Sequence, residues 1–225
     1  MSKQLQSSFL SQWLLIQVFG SIALAIATQA IVSLTTLLFQ VDSLMMICLL
    51  RLLAYLLSTA IQGYLQWHFL KQTIASLDRQ WIFTAVVGLP IDILTWRLIH
   101  LGTQTLVFDE DGTALIILAI VGGIMGGING RMIGNWQKYL LQQRLHWRSL
   151  WYDWDREQLL AGVLGGVVKT VIIIGSVFLF EGDWMASPLI AFICTISLAA
   201  SSQVMYGAIV GDTIYDVFKQ AKLFK

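Results

Sequence analysis

Asp92 and Lys169 are the side chains of this sequence whose type and setting promise chemistry: an acid and an amine in the middle of apolar runs. Charge inside hydrocarbon is costly enough to mark a site by default. Each follows a glycine by four residues, Gly88 and Gly165, and those glycines end similar openings, Gln80-Trp81-x6-Gly88 and Glu157-Gln158-x6-Gly165. At 1.5 Å per residue, both lie about 16 Å along their helices from one end, near a bilayer midplane. The spacing therefore predicts an Asp92–Lys169 ion pair on a bundle axis, as a structural pair or as a solute or proton site.

A second polar feature is the stripe Arg51, Tyr55, Ser58 or Thr59, Gln62 and Gln66. Helical periodicity keeps these within about 100° of arc. They must face other helices or water, and interhelical hydrogen bonding and a lined polar cavity both explain them. The candidate binding residues are thus Asp92, Lys169, Arg51, Tyr55, Gln62 and Gln66. Arg51, Arg97 and Arg131 lie near helix ends, where a long side chain can snorkel to the headgroups.

Other chemistry finds no footing. His68, His100 and His146 are scattered, and Cys48 and Cys194 fall in apolar helices, so no metal or cofactor is expected. Ser176 has no histidine at matching depth to act as its base. The run Asp109-Glu110-Asp111-Gly112 lacks the ligand spacing of a calcium loop and reads as a solvated turn. No phosphate-binding glycine loop is present. A non-enzymatic protein is expected.

These residues need a membrane scaffold. The chain is 57% hydrophobic and 12% charged, about half the charge a soluble surface needs, so lipid must replace water over most of it. The net charge of +1 offers no basic face to nucleic acid. Six segments are long enough to cross a bilayer: roughly 13–39, 44–67, 81–101, 113–136, 158–180 and 185–210. The first is too long for a signal-peptide core and reads as a retained helix. The expected fold is all-α, a polytopic membrane protein in one domain, 1–225.

Orientation follows from the loops. Lys3, Lys71, Arg79, Lys138, Arg144, Arg148, Arg156, Lys219, Lys222 and Lys225 collect on one side, and the other side carries only acids. That asymmetry places both termini in the cytoplasm of a bacterial-type inner membrane or a thylakoid membrane. The 137–157 loop, with Tyr139, Trp147, Trp151, Tyr152 and Trp154, reads as an interfacial segment at headgroup level or as a docking surface. Leu141, Leu145 and Trp154 would line one side of a short helix there.

The chain also repeats itself. Gln12-Trp13-x6-Gly20 matches the two openings quoted above, and the even helices end in Thr59-x3-Gly63, Gly130-x3-Gly134 and Gly207-x3-Gly211. Three parallel hairpins result, over approximately 12–72, 80–143 and 157–220. Parallel hairpins predict a pseudo-threefold bundle with any site near its axis. Gly122, Gly126, Gly130 and Gly134, with Gly162 and Gly166, form small-residue faces that pack helices within the chain or hold another membrane subunit.

Six helices, cytoplasmic termini, a chain of this length and an Ala23-x3-Ala27 face resemble the substrate-binding subunits of energy-coupling-factor vitamin transporters. The resemblance covers topology and that one motif, and it implies a small-solute transport component. The other expectation is a structural or assembly subunit of a larger membrane complex, partnered through the glycine faces or the 137–157 loop.

Overall fold

The computed structural model describes residues 3–39, 44–106, 113–143, 151–179 and 188–220. Among these the chain is helical throughout, apart from short turns, and holds no strand. The helices are α1 (Lys3–Phe39), α2 (Leu44–Lys71), α3 (Thr84–Val87), α4 (Leu89–Leu106), α5 (Thr113–Gln142), α6 (Trp151–Leu179) and α7 (Pro188–Gln220), with a 3-10 turn at Arg79–Phe83 before α3. Three stretches of the described residues are long and apolar enough to cross a membrane: Gln6–Thr35, Leu115–Gln142 and Asp153–Gly175.

Two expectations need correction. The segment 81–101 is not one continuous helix: it runs through a 3-10 turn, the single turn of α3 and then α4. Gly88-Leu89-Pro90 explains the break, because Pro90 has no N–H to donate back and its ring crowds the preceding turn. Nor is 137–157 a loop. α5 continues to Gln142 and α6 begins at Trp151, leaving only 143–150 as the connection. Residues 144–150, with Leu145 and Trp147, lie outside the described residues, as do the side chains of Trp151 and Tyr152.

The helices extend because that end of the bundle is a packed core. Phe9, Trp13, Trp67, Leu70, Trp81, Leu140, Leu141, Trp154, Ile214 and Phe218 bury together at the Lys/Arg-rich end. Trp154 is fully buried rather than at headgroup level, and its indole N–H donates to the Gly134 carbonyl at 2.9 Å. Tyr139, by contrast, is exposed. Lys138 and Asp155 pair at 2.6 Å across α5 and α6 close by. Trp154→Phe removes the indole hydrogen bond to Gly134 and leaves a void. It is expected to lower stability by about 1–3 kcal/mol, read as the denaturant midpoint in detergent. An unchanged midpoint would place the indole outside the core.

Packing order closes on itself. α1 packs on α2 and α7, α7 on α6, α6 on α5, α5 on α3 and α4, and α2 on α3 and the 3-10 turn. The tightest seam is α5 on α6. A Cβ at Gly126 would lie 2.8 Å from the Gly166 Cα and closer still to the Gly162 carbonyl oxygen. Gly122, Gly130 and Gly134 meet Thr170, Gly162 and Gln158 in the same way. The glycine faces are thus engaged within the chain. Around the circuit, Gly63 abuts the Ile82 backbone, Gly134 abuts Gln158, and Gly211 abuts Trp13.

Candidate functional site

Lys169 and Asp92 meet. The Lys169 ammonium donates to Asp92 Oδ1 at 3.2 Å, joining α6 to α4. The break at Gly88–Pro90 sets the acid: Asp92 lies on the first turn of α4, its N–H bonded to the Gly88 carbonyl at 3.1 Å. Lys169 rides on α6 beside Thr170, whose hydroxyl is absorbed by the Gly166 carbonyl at 2.9 Å. Neither charged side chain is sealed, with 33% of Lys169 and 30% of Asp92 exposed.

Tyr55 completes the group. It lies on α2, within electrostatic reach of both Asp92 and Lys169, and is half-open. α2 packs on α1 and α3, whereas α4 and α6 flank α5. The structure thus brings Asp92 and Lys169 together between α4 and α6, with the exposed Tyr55 of α2 within electrostatic reach of both. An acid, an amine and a phenol of either hydrogen-bonding sense can hold a polar solute or relay a proton.

The other candidates go elsewhere. Gln62 and Gln66 are buried and both donate to Gln17 Oε1 on α1, at 3.1 and 3.0 Å. Gln62 also reaches the Ile16 carbonyl at 3.2 Å. Ser58 and Thr59 satisfy themselves on carbonyls of their own helix, Tyr55 at 2.9 Å and Leu56 at 2.9 Å. The α2 stripe therefore serves interhelical bonding at Gln62 and Gln66. The Arg51 side chain lies outside the described residues. Arg97 and Arg131 are exposed on α4 and α5.

Sequence reasoning missed Gln17, which organises that amide cluster and is fully buried. It also missed a second cluster, in which Gln158 donates to Gln137 Oε1 at 3.0 Å and the Tyr206 hydroxyl donates to the same oxygen at 3.1 Å. A signal existed: Gln137 follows Gly134 by three residues, as Gln66 follows Gly63. Asn129 is a further buried amide, with its side chain against Gly88. Gln17→Ala takes the acceptor from the buried Gln66 amide and leaves Gln62 only its backbone partners. A loss of about 1–3 kcal/mol is expected, measured by thermal unfolding in micelles; no loss would mean the cluster is wet.

Among the described residues, no three His, Cys, Asp or Glu side chains converge as a metal site would require. No protein-family model, curated protein or solved structure matches the chain.

Proposed function

We infer that this chain is a multi-pass transport component that binds a small solute or ion at the Asp92–Lys169–Tyr55 group, without catalysing a reaction on it. The observation that carries the reading is the 3.2 Å ion pair between α4 and α6 with about a third of each side chain open. A pair meant only to join helices can often be replaced by packed apolar residues at no loss of stability.

Six transmembrane spans underlie this reading: α1, α2, α3 with α4, α5, α6 and α7. Three hairpin repeats fit the packing. Trp13, Trp81 and Gln158, which open the repeats, are all buried, and so are Leu70, Leu141 and Phe218, seven residues after each closing glycine. Each closing glycine abuts the opening of the next hairpin, and the third returns to the first. The Lys/Arg-rich end, where the aromatic core packs, is cytoplasmic in a bacterial-type inner or thylakoid membrane. The site then opens to the far side, because the core seals the near one.

The alternative, an assembly subunit, must use a surface other than the glycine faces. The exposed Trp136 and Tyr139 on α5 are what favours it.

The test is to incubate the purified protein with a bacterial metabolite extract and identify the retained compounds by mass spectrometry. The wild type should retain a small polar metabolite that the Asp92→Asn, Lys169→Gln double variant does not. Retention of the same compounds by both, or of none by the wild type, would sink the axial-site reading. A large co-purifying assembly in native extracts would favour the alternative.

A further inference from the structure

We propose that the solute taken at this group is a zwitterion of amino-acid type, its carboxylate replacing Asp92 on Lys169 and its ammonium replacing Lys169 on Asp92. The proposal rests on the reading of the pair as a solute site and names the class of solute. Its basis is charge balance in a partly desolvated site. Lys169 and Asp92 neutralise each other at 3.2 Å. An anion captured by Lys169 would leave the Asp92 carboxylate unpaired, and a cation captured by Asp92 would strand the ammonium. Either result leaves an uncompensated charge in that site, which costs free energy. A neutral solute must separate the pair without replacing what it removes. A zwitterion exchanges one ion pair for two and leaves no charge unmatched.

The geometry suits that exchange. The two charges come from different helices, α4 and α6, and meet head to head, so a molecule entering between them is presented with one charge on each side. The side chains that carry them are 33% and 30% open. Tyr55, within reach of both charges, can donate to a solute carboxylate or accept from a solute ammonium.

The experiment compares three pools on the full-length protein in detergent, by thermal unfolding. The first holds the common α-amino acids and glycine betaine, the second methylammonium and ethanolamine, the third acetate and lactate. At roughly a hundred times Kd, the zwitterion pool should raise Tm by about 5–10 °C and the others by under about 1 °C. Lys169→Gln and Asp92→Asn should each abolish the shift. A comparable shift from the amine or carboxylate pool overturns the zwitterion class but leaves the solute site standing. No shift from the zwitterion pool overturns the proposal, and an empty metabolite-retention experiment beside it removes the solute site as well. The pool comparison on the wild type holds even if a single variant fails to fold.

Discussion

Gly126→Leu should leave little folded protein. A single added Cβ already falls 2.8 Å from the Gly166 Cα and inside contact distance of the Gly162 carbonyl oxygen. Both obstacles are backbone, so no rotamer change relieves them, and α5 and α6 must part. Forcing extra methylenes into a well-packed core costs about 1–3 kcal/mol. Here the parting also forfeits the close approach at Gly122, Gly130 and Gly134, so at least about 3 kcal/mol is expected out of a total of roughly 5–15. The readout is monodispersity after mild extraction, together with Tm. Gly175→Ala is the control: it lies on the same α6 but meets nothing within 4 Å, so it should gain about 0.5–1 kcal/mol from helix propensity. A Gly126→Leu protein that folds normally but loses a co-purifying subunit would make the glycine face intermolecular and favour the assembly reading.

Second in size is the asymmetry between breaking and removing the ion pair. Asp92→Asn or Lys169→Gln alone should destabilise by about 1–3 kcal/mol. That lies below the full cost of stranding a buried charge, because about a third of each side chain is open. The double variant should recover most of the loss, giving a favourable coupling in a double-mutant cycle of unfolding free energies. It should also be inactive in solute retention. Stability restored and binding lost is the signature of a site. Stability restored with retention unchanged would make the pair a structural tie between α4 and α6. Additive losses would mean the two charges do not interact.

Much of this was legible in one dimension. The helical class follows from a chain too apolar to hold its backbone in any state but hydrogen-bonded helices once in lipid. The meeting of Asp92 and Lys169 could be read because both stand four residues after equivalent glycines, and helical rise is constant. The glycine spacing on α5 marked a close-packing face for the same reason: i, i+4 periodicity is local geometry, independent of the partner.

What that face packs against was beyond the sequence, since another subunit or α6 would satisfy it equally; the fold chose Gly162 and Gly166. The fold likewise divided the α2 stripe, leaving Tyr55 exposed within electrostatic reach of the charges and engaging Gln62 and Gln66 with Gln17. Periodicity places residues on one face of a helix, but which neighbour each level of that face meets depends on how helices cross. Trp154 shows the same limit. Its surroundings in sequence, aromatic and basic, are those of a membrane-interface belt. Its burial against Gly134 arises because α5 and α6 both run past the apolar stretch and close over it. Sequence by itself determined the helical class and the glycine face of α5, because each depends on local geometry and hydropathy. Tertiary packing alone decided which faces meet, and therefore that the acid on α4 and the amine on α6 form a pair.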